Sequence, residues 1–413
     1  MLSRCLRMLR CCLTPPTSPI PPCEERQNSD TFEALLELKQ AFSGADGMTS
    51  DSEQVGILLK KFYALPEPCR KAQEARFVSL ILENINWKEA FPFVERIDGI
   101  TDISEGASFK QYFLEHNIPE ILCILKKGLD AESLAVVDHF MFKALRLPEY
   151  PAEVAGKRFF AFSALLRKMF QSPTEKKSEE RYEAELPTYR QNFHYAEFNA
   201  YFEPSVFLFH HGLRSRSKAV LDYIRHKDFI DGGAWIGDSA LVLGKYYEPK
   251  KIHSFEISPA TCKRYDDVMR ANGVESSCYV IVNEGLGERK GKGLFVDNSG
   301  EGTSLLARRE GEEREITVCS IDAYVAAQRL HVGFIKLDLE GFGLAALKGA
   351  RETIISQLPV LSLSLYHTPE EFFETKPYLE SLTDAYTLHV ERHHIDYTNC
   401  WDTVLMAIPK TLL

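Results

Sequence analysis

The sequence predicts an α/β fold in its C-terminal half, preceded by an all-α N-terminal region. Three observations predict it. From residue 228 onward, short β-branched and aromatic runs alternate with stretches of helical periodicity, the pattern of a mostly parallel sheet flanked by helices. The first run, Phe229-Ile230-Asp231, ends in Gly232-Gly233-Ala234-Trp235-Ile236-Gly237, a turn whose glycines permit tight geometry and close approach of a ligand to backbone. The later runs end on polar groups: Glu256, Asn283-Glu284, Asp338 with Glu340, and Tyr366-His367.

The elements follow in order. With 413 residues, at about 150 residues per domain, two or three domains are expected. Residues 1–29 read as a disordered tail. Arg4, Arg7 and Arg10 stand without an acid among the first 23 residues, and a proline-rich run follows; a transit peptide or a lipid-modified Cys11–Cys12 anchor are the alternatives. Residues 30–171 read as a helical domain of unknown role. Asp30/Glu33 and Ser50/Glu53 resemble capping boxes, Leu134, Val137, Phe140, Met141 and Leu145 form an apolar stripe, and a further helix is expected over 152–170. Residues 172–189, rich in Lys and Glu, read as a linker or a solvated helix. The aromatic segment from Phe193 to Phe209 is expected to be core, with a lid as the alternative, and His210-His211 to be a turn.

In the domain spanning 190–413, strands are expected over 229–231, 251–257, 279–283, 316–320, 333–338, 360–366, 387–392 and 403–408, with a hairpin over 295–306 turning at Asn298-Ser299-Gly300. Helices are expected from Asp238 and around Ala345–Ala350.

Composition narrows the function. Lys and Arg number 49 against 59 Asp and Glu, a net charge of −10, which argues against a nucleic-acid partner because phosphate neutralisation needs a basic face. No stretch approaches the roughly 18 apolar residues of a membrane span. The ten cysteines form no Cys-x-x-Cys pair, so a reduced, cytoplasmic setting is expected. His389, Glu391 and His393 alternate along one strand and would share a face. No further ligand is evident, so a solvated strand and no metal are expected there.

Ligands of open α/β sheets bind beyond the carboxyl ends of the strands. An acidic rim there calls for a ligand with several donors and some positive charge. The glycines at 232, 233 and 237 depart from the i, i+2, i+5 dinucleotide spacing, and Glu256 lies 19 residues beyond Gly237. Asp231-x-Gly233-x-x-x-Gly237 with that acid suits S-adenosyl-L-methionine (SAM), whose ammonium, sulfonium, carboxylate and ribose match such a rim. A nicotinamide cofactor or a purely structural turn are the alternatives. The expected cofactor-binding residues are Asp231, Gly232, Gly233, Gly237, Asp238, Glu256, Asn283 and Glu284.

Phe334-Ile335-Lys336-Leu337-Asp338-Leu339-Glu340-Gly341 and the following Leu347-Lys348-Gly349-Ala350 resemble the FkbM-type methyltransferase family. Asp231-Gly-Gly-Ala, Phe255-Glu256, Asn283-Glu-Gly-Leu-Gly, Ser320-Ile-Asp322 and Asp402-Thr-Val-Leu occur in the family's order, so the resemblance covers roughly residues 190–410. It implies a Rossmann-like, seven-stranded class I methyltransferase sheet with a reversed strand near the C-terminus. It also implies SAM-dependent O-methylation of a hydroxyl on a sugar, glycan or related metabolite. Asp338, Glu340 and His367 are the catalytic candidates; Asp338 could be base or SAM ligand, and Lys336 shares its strand face. Many members carry a second acid two residues after Glu-Gly, where this chain has Gly343. That departure, with the unassigned helical half, keeps open a SAM-fold binding or scaffold protein without catalysis.

Overall fold

The computed structural model describes residues 115–146, 173–194, 202–297, 312–395 and 402–413, together with Phe109 and Tyr112. The helices expected before residue 63 and over 152–170, and the hairpin turn at 298–300, lie outside the described residues. The chain divides into two compact units, residues 1–126 with 137–170, and residues 127–136 with 171–413. In the first, helix α1 (Ile118–Lys126) and most of α2 (Ala131–Arg146) are described. Phe109 and Phe140 pack there with ring centroids 5.5 Å apart.

The second unit is built on a seven-stranded sheet. Its strands are β1 (Asp228–Gly232), β2 (Lys251–Phe255), β3 (Tyr279–Val282), β7 (Val332–Leu337), β8 (Val360–Ser364), β9 (Tyr386–Arg392) and β10 (Thr403–Pro409). Their spatial order is β3-β2-β1-β7-β8-β10-β9. All neighbours are parallel except β10, which runs antiparallel to β8 and β9. This is the expected sheet with its reversed strand. Strands β1, β7, β8 and β10 are buried along their whole length, which is why they read as apolar runs rather than as alternating ones.

A small sheet stands beside it. Its strands are β4 (Gly285–Leu286), β5 (Gly291–Asp297) and β6 (Glu312–Cys319), in the order β4-β6-β5. The hairpin is therefore longer than expected: its arms are 291–297 and 312–319, paired antiparallel.

Of the two readings of this segment, a linker or a solvated helix, the helix is what forms: Pro173–Asn192 make helix α3, solvated along most of its described surface but not on one face. Tyr182 and Tyr189, seven positions apart and so on one helix face, are buried with Phe193, Phe202 and Phe207. The Tyr182 hydroxyl donates to the Phe202 carbonyl at 2.5 Å. The Phe202 and Phe207 rings meet edge to face at 4.7 Å, a favourable aromatic geometry. The aromatic segment is thus core where it is described. After helix α4 (Pro204–Phe207) and the turn at His210–Ser215 come α5 (Lys218–Ile224), α6 (Asp238–Tyr247) and α7 (Pro259–Ala271). Then α8 (Ile321–Gln328), α9 (Gly343–Lys348), α10 (Arg351–Gln357) and α11 (Pro369–Leu382) alternate with the strands. Among the described residues, no helix is long and apolar enough to cross a membrane.

Phe207 is 1% exposed and packs against Phe193 and Tyr189 as well as Phe202. Phe207→Ala should cost about 3–5 kcal/mol, the range for emptying a buried aromatic site, read as a shift of the urea midpoint. A cost below about 1 kcal/mol would mean that α3 is not part of the core.

Candidate active site

Strand order reverses between β1 and β7, because the chain proceeds outward from β1 on one side and from β7 on the other. That reversal opens a crevice at the carboxyl ends of the strands. In the register of the pair, Asp231 lies opposite Lys336. Both side chains are buried; the Lys336 Nζ lies 3.2 Å from an Asp231 oxygen and donates to the Gly233 carbonyl at 2.7 Å. Burial works against the ammonium, but the charges of Asp231, Asp338 and Asp238 outweigh it and hold its proton more tightly than usual.

The glycine turn is pinned on both sides. The N–H groups of Gly233 and Ala234 donate to the Phe255 carbonyl at the end of β2, and Asp338 N–H donates to the Gly232 carbonyl. Gly233 has φ +77°, and a Cβ there would lie 1.8 Å from the Asp338 carbonyl oxygen. Only glycine fits this left-handed contact. Gly237, at φ +88°, begins α6 against the Tyr265 ring.

Glu256 follows β2. Its two oxygens accept from Trp235 N–H at 3.1 Å and Ser258 N–H at 2.8 Å. Burial nevertheless pushes its pKa up to about 7. Asp238, in the first turn of α6, is likewise raised by burial to about 6. Asn283 donates its amide to the Glu256 and Ile257 carbonyls at 2.8 and 3.0 Å, tying the ends of β2 and β3 together. Glu284 is directed toward Cys319, whose thiol is raised to about 12 by burial and then by this carboxylate.

Asp338 follows β7. It accepts from the Tyr366 hydroxyl at 3.1 Å and lies 3.2 Å from His367 Nε2. Burial alone would raise its pKa; the His367 hydrogen bond and the Lys336 charge overturn that and hold it below the usual carboxylate range. His367 is buried, which alone would favour its neutral form. Asp338 and Glu371 outweigh this and raise it well above the ordinary histidine value, so at neutral pH it is an imidazolium. Its Nδ1 donates to Glu371 at 3.1 Å. Glu340, half exposed at φ +49°, lies 4.0 Å from the same imidazole.

Glu371 was not singled out in the sequence. It is buried on α11, and its other oxygen accepts from Gly343 N–H at 2.7 Å. A Cβ at Gly343 would sit 2.7 Å from that oxygen. A carboxylate thus fills the space where position 343 would carry a side chain.

The expected residues fall into three places. Asp231, Gly232, Gly233, Gly237, Asp238 and Glu256 gather around Lys336, with Asp338, Glu340 and His367 across the crevice. Asn283 braces the rim, and Glu284 faces the small sheet. His389 pairs with Asp130 at 2.7 Å, whereas Glu391 binds Arg216 and His393, so these three do not share one site. Asp322 is structural: it caps α10 by accepting from the Glu352 and Thr353 N–H groups. His210 and His211 both adopt left-handed backbone, at φ +50° and +52°, a conformation rare outside glycine. His211 contacts Ser239 Oγ at 2.9 Å. Burial and then the nearby Lys336 charge hold it neutral.

Residues 231–392 match the family model of the methyltransferase FkbM domain. Residues 231–392, within the C-terminal half, are thus similar to the methyltransferase FkbM domain. Among solved structures, the chain is similar to the methyltransferase FkbM from Methylobacillus flagellatus KT (21% identity, TM-score 0.43). That match covers 73% of this chain and 60% of the other. An rRNA methylase from Streptococcus thermophilus matches at 13% identity and TM-score 0.31, over 50% of this chain and 96% of that one. A mutant of MtNAS in complex with S-adenosylmethionine matches at 11% identity and TM-score 0.33, over 79% and 98% respectively. No curated protein matches the sequence.

The Gly343–Glu371 contact is testable by a double-mutant cycle. Gly343→Ala and Glu371→Ala should each destabilise the protein. Together they should cost about 1 kcal/mol less than their sum, within the usual range for residues in direct contact. Strict additivity in urea denaturation would mean that the collision is not made.

Proposed function

We propose that the protein is a SAM-dependent O-methyltransferase acting on a hydroxyl group, of a sugar, glycan or related metabolite. The observation that carries the cofactor reading is the acidic rim around Lys336 at the glycine turn of an FkbM domain. SAM carries one net positive charge, from an ammonium and a sulfonium against one carboxylate. A rim with Asp231, Asp238, Glu256, Asp338 and Glu340 against two cations complements it. In this reading Glu256 accepts from the ribose hydroxyls, and the glycine turn with the start of α6 lies along the amino-acid end of the cofactor. Asn283 and Glu284 stand on the adenine side.

Methyl transfer is an in-line displacement. The acceptor oxygen forms a bond to the methyl carbon as the carbon–sulfur bond breaks, and the electron pair stays on sulfur. The sulfonium becomes the neutral thioether of S-adenosylhomocysteine, and the acceptor loses its hydroxyl proton. Alignment supplies much of the acceleration, about 7–11 kcal/mol at best. Asp338 is suited to holding the cofactor's cationic end, because a carboxylate of lowered proton affinity stays ionised; the same property makes it a weak base. His367, its charged form favoured by Asp338 and Glu371, is poorly suited to take the acceptor's proton. It is a positioning residue that fixes Asp338, while half-exposed Glu340 faces the acceptor. The scaffold alternative rested on Gly343 and on the unassigned helical half; the Glu371 carboxylate occupying the space at 343 weakens the first ground only.

Titration calorimetry with SAM, followed by transfer of labelled methyl to a panel of hydroxyl acceptors, tests the reading. Glu256→Ala should weaken SAM binding by about 1–3 kcal/mol, the cost of losing hydrogen bonds to a charged group. Unchanged affinity would remove Glu256 from the site. A folded sample with no SAM affinity would sink the whole assignment.

The raised pKa of Glu256 adds a pH dependence. Its proton must leave before the carboxylate can accept from two ribose hydroxyls, so binding strengthens as pH rises through about 7. Affinity at pH 6 should be about tenfold weaker than at pH 8. A flat profile in the wild type would show that Glu256 does not change protonation on binding.

A further inference from the structure

We propose that Glu203, His394 and Asp402 form a binding site for one divalent metal ion of the Mn²⁺ type at the acceptor side of the crevice. Each residue offers one ligand atom, and these atoms lie within 4.8 Å of one another. Ligands about 2.1–2.2 Å from a common ion are separated by roughly 3–4.4 Å, so small adjustments close the set. Two carboxylates and one imidazole form a mixed oxygen and nitrogen set suited to a borderline divalent cation.

The convergence is not a run of surface acids. Glu203 stands before α4, His394 just beyond β9, and Asp402 at the entrance to β10. His394 and Asp402 are buried, and Asp402 is held at φ +54°. Glu203 Oε1 is buried without a hydrogen-bond partner, 4.0 Å from His394 Nε2. Burying an unsatisfied carboxylate oxygen is costly, and a cation would satisfy it. Burial, and then the mutual charge of the two carboxyls, raises Glu203 well above its usual pKa; Asp402 is raised to about 7, by burial and then by Asp338. Ser205 donates to Asp402 and would support the ligand from outside.

The site adjoins the methyl-transfer crevice. Glu203 feels the charges of Asp238 and Asp338, and buried Tyr366 feels both Asp338 and Asp402. An acceptor hydroxyl reaching this site would have its pKa lowered by such a cation. This role rests on the methyl-transfer reading; the metal site itself does not.

The test is a titration of the chelator-treated full-length chain with Mn²⁺, followed by loss of the aqueous six-line electron paramagnetic resonance signal. One equivalent should bind in the micromolar range. Glu203→Gln and Asp402→Asn should each weaken it about tenfold or more, with folding checked by circular dichroism. Absence of a stoichiometric site in the wild type would overturn the proposal without any variant. Uptake unchanged by both substitutions would also overturn it, leaving the three residues as a proton-sharing cluster. SAM calorimetry on the same metal-free sample separates this failure from failure of the methyltransferase reading.

Discussion

A single buried ammonium organises the crevice. Lys336 sits at the point where β1 and β7 part, and its charge is opposed by removal from water. It is retained because Asp231, Asp338 and the Gly233 carbonyl together restore what hydration would have given. Such an arrangement is costly to break, since removal of one partner strands the others as buried charges. The position of the glycine turn, the ionisation of Asp338 and the convergence of acids on one rim all depend on it.

The same charge sorts the carboxyls into two kinds. Asp338, close to Lys336 and bonded to the His367 imidazolium, is permanently ionised. Glu256, Asp238 and Asp402 are buried with less compensation and hold protons near neutrality. The first kind suits a fixed electrostatic anchor. The second kind releases protons when a ligand brings its own positive charge or hydrogen-bond donors. A rim made entirely of the first kind would repel itself. A rim made entirely of the second would have little field to offer a cation.

Much of the sheet was legible because its strands are buried on both faces. Apolar runs such as 332–337 and 403–409 have no competing helical reading when Gly or an acid closes them. The glycine turn was legible for a related reason: a left-handed backbone against the Asp338 carbonyl tolerates no side chain, so chemistry dictates the residue. The segment at Pro173–Asn192 was left between a linker and a solvated helix because its Lys and Glu residues mask two tyrosines that find their partners only in the folded state. Glu371 carried a local signal that was passed over: it lies four residues beyond His367 and three beyond Thr368, the N-cap of α11, and only its contact with Gly343 needs the packing of α9 and α11. His394 was passed over for His389 and His393, whose alternation is visible along the chain. The meeting of His394 with Glu203 and Asp402 brings together residues from before α4, beyond β9 and before β10. Strand spacing reports faces within one element, and sites assembled across elements escape it.

The contact between Gly343 and Glu371 has a consequence for how this sequence can vary. A side chain at 343 collides with the carboxylate as long as residue 371 is glutamate. Shortening residue 371 first leaves His367 without the carboxylate at its Nδ1 and Gly343 N–H without its acceptor. The two positions, on different helices, therefore constrain one another: which side chain residue 343 can carry depends on which one residue 371 has.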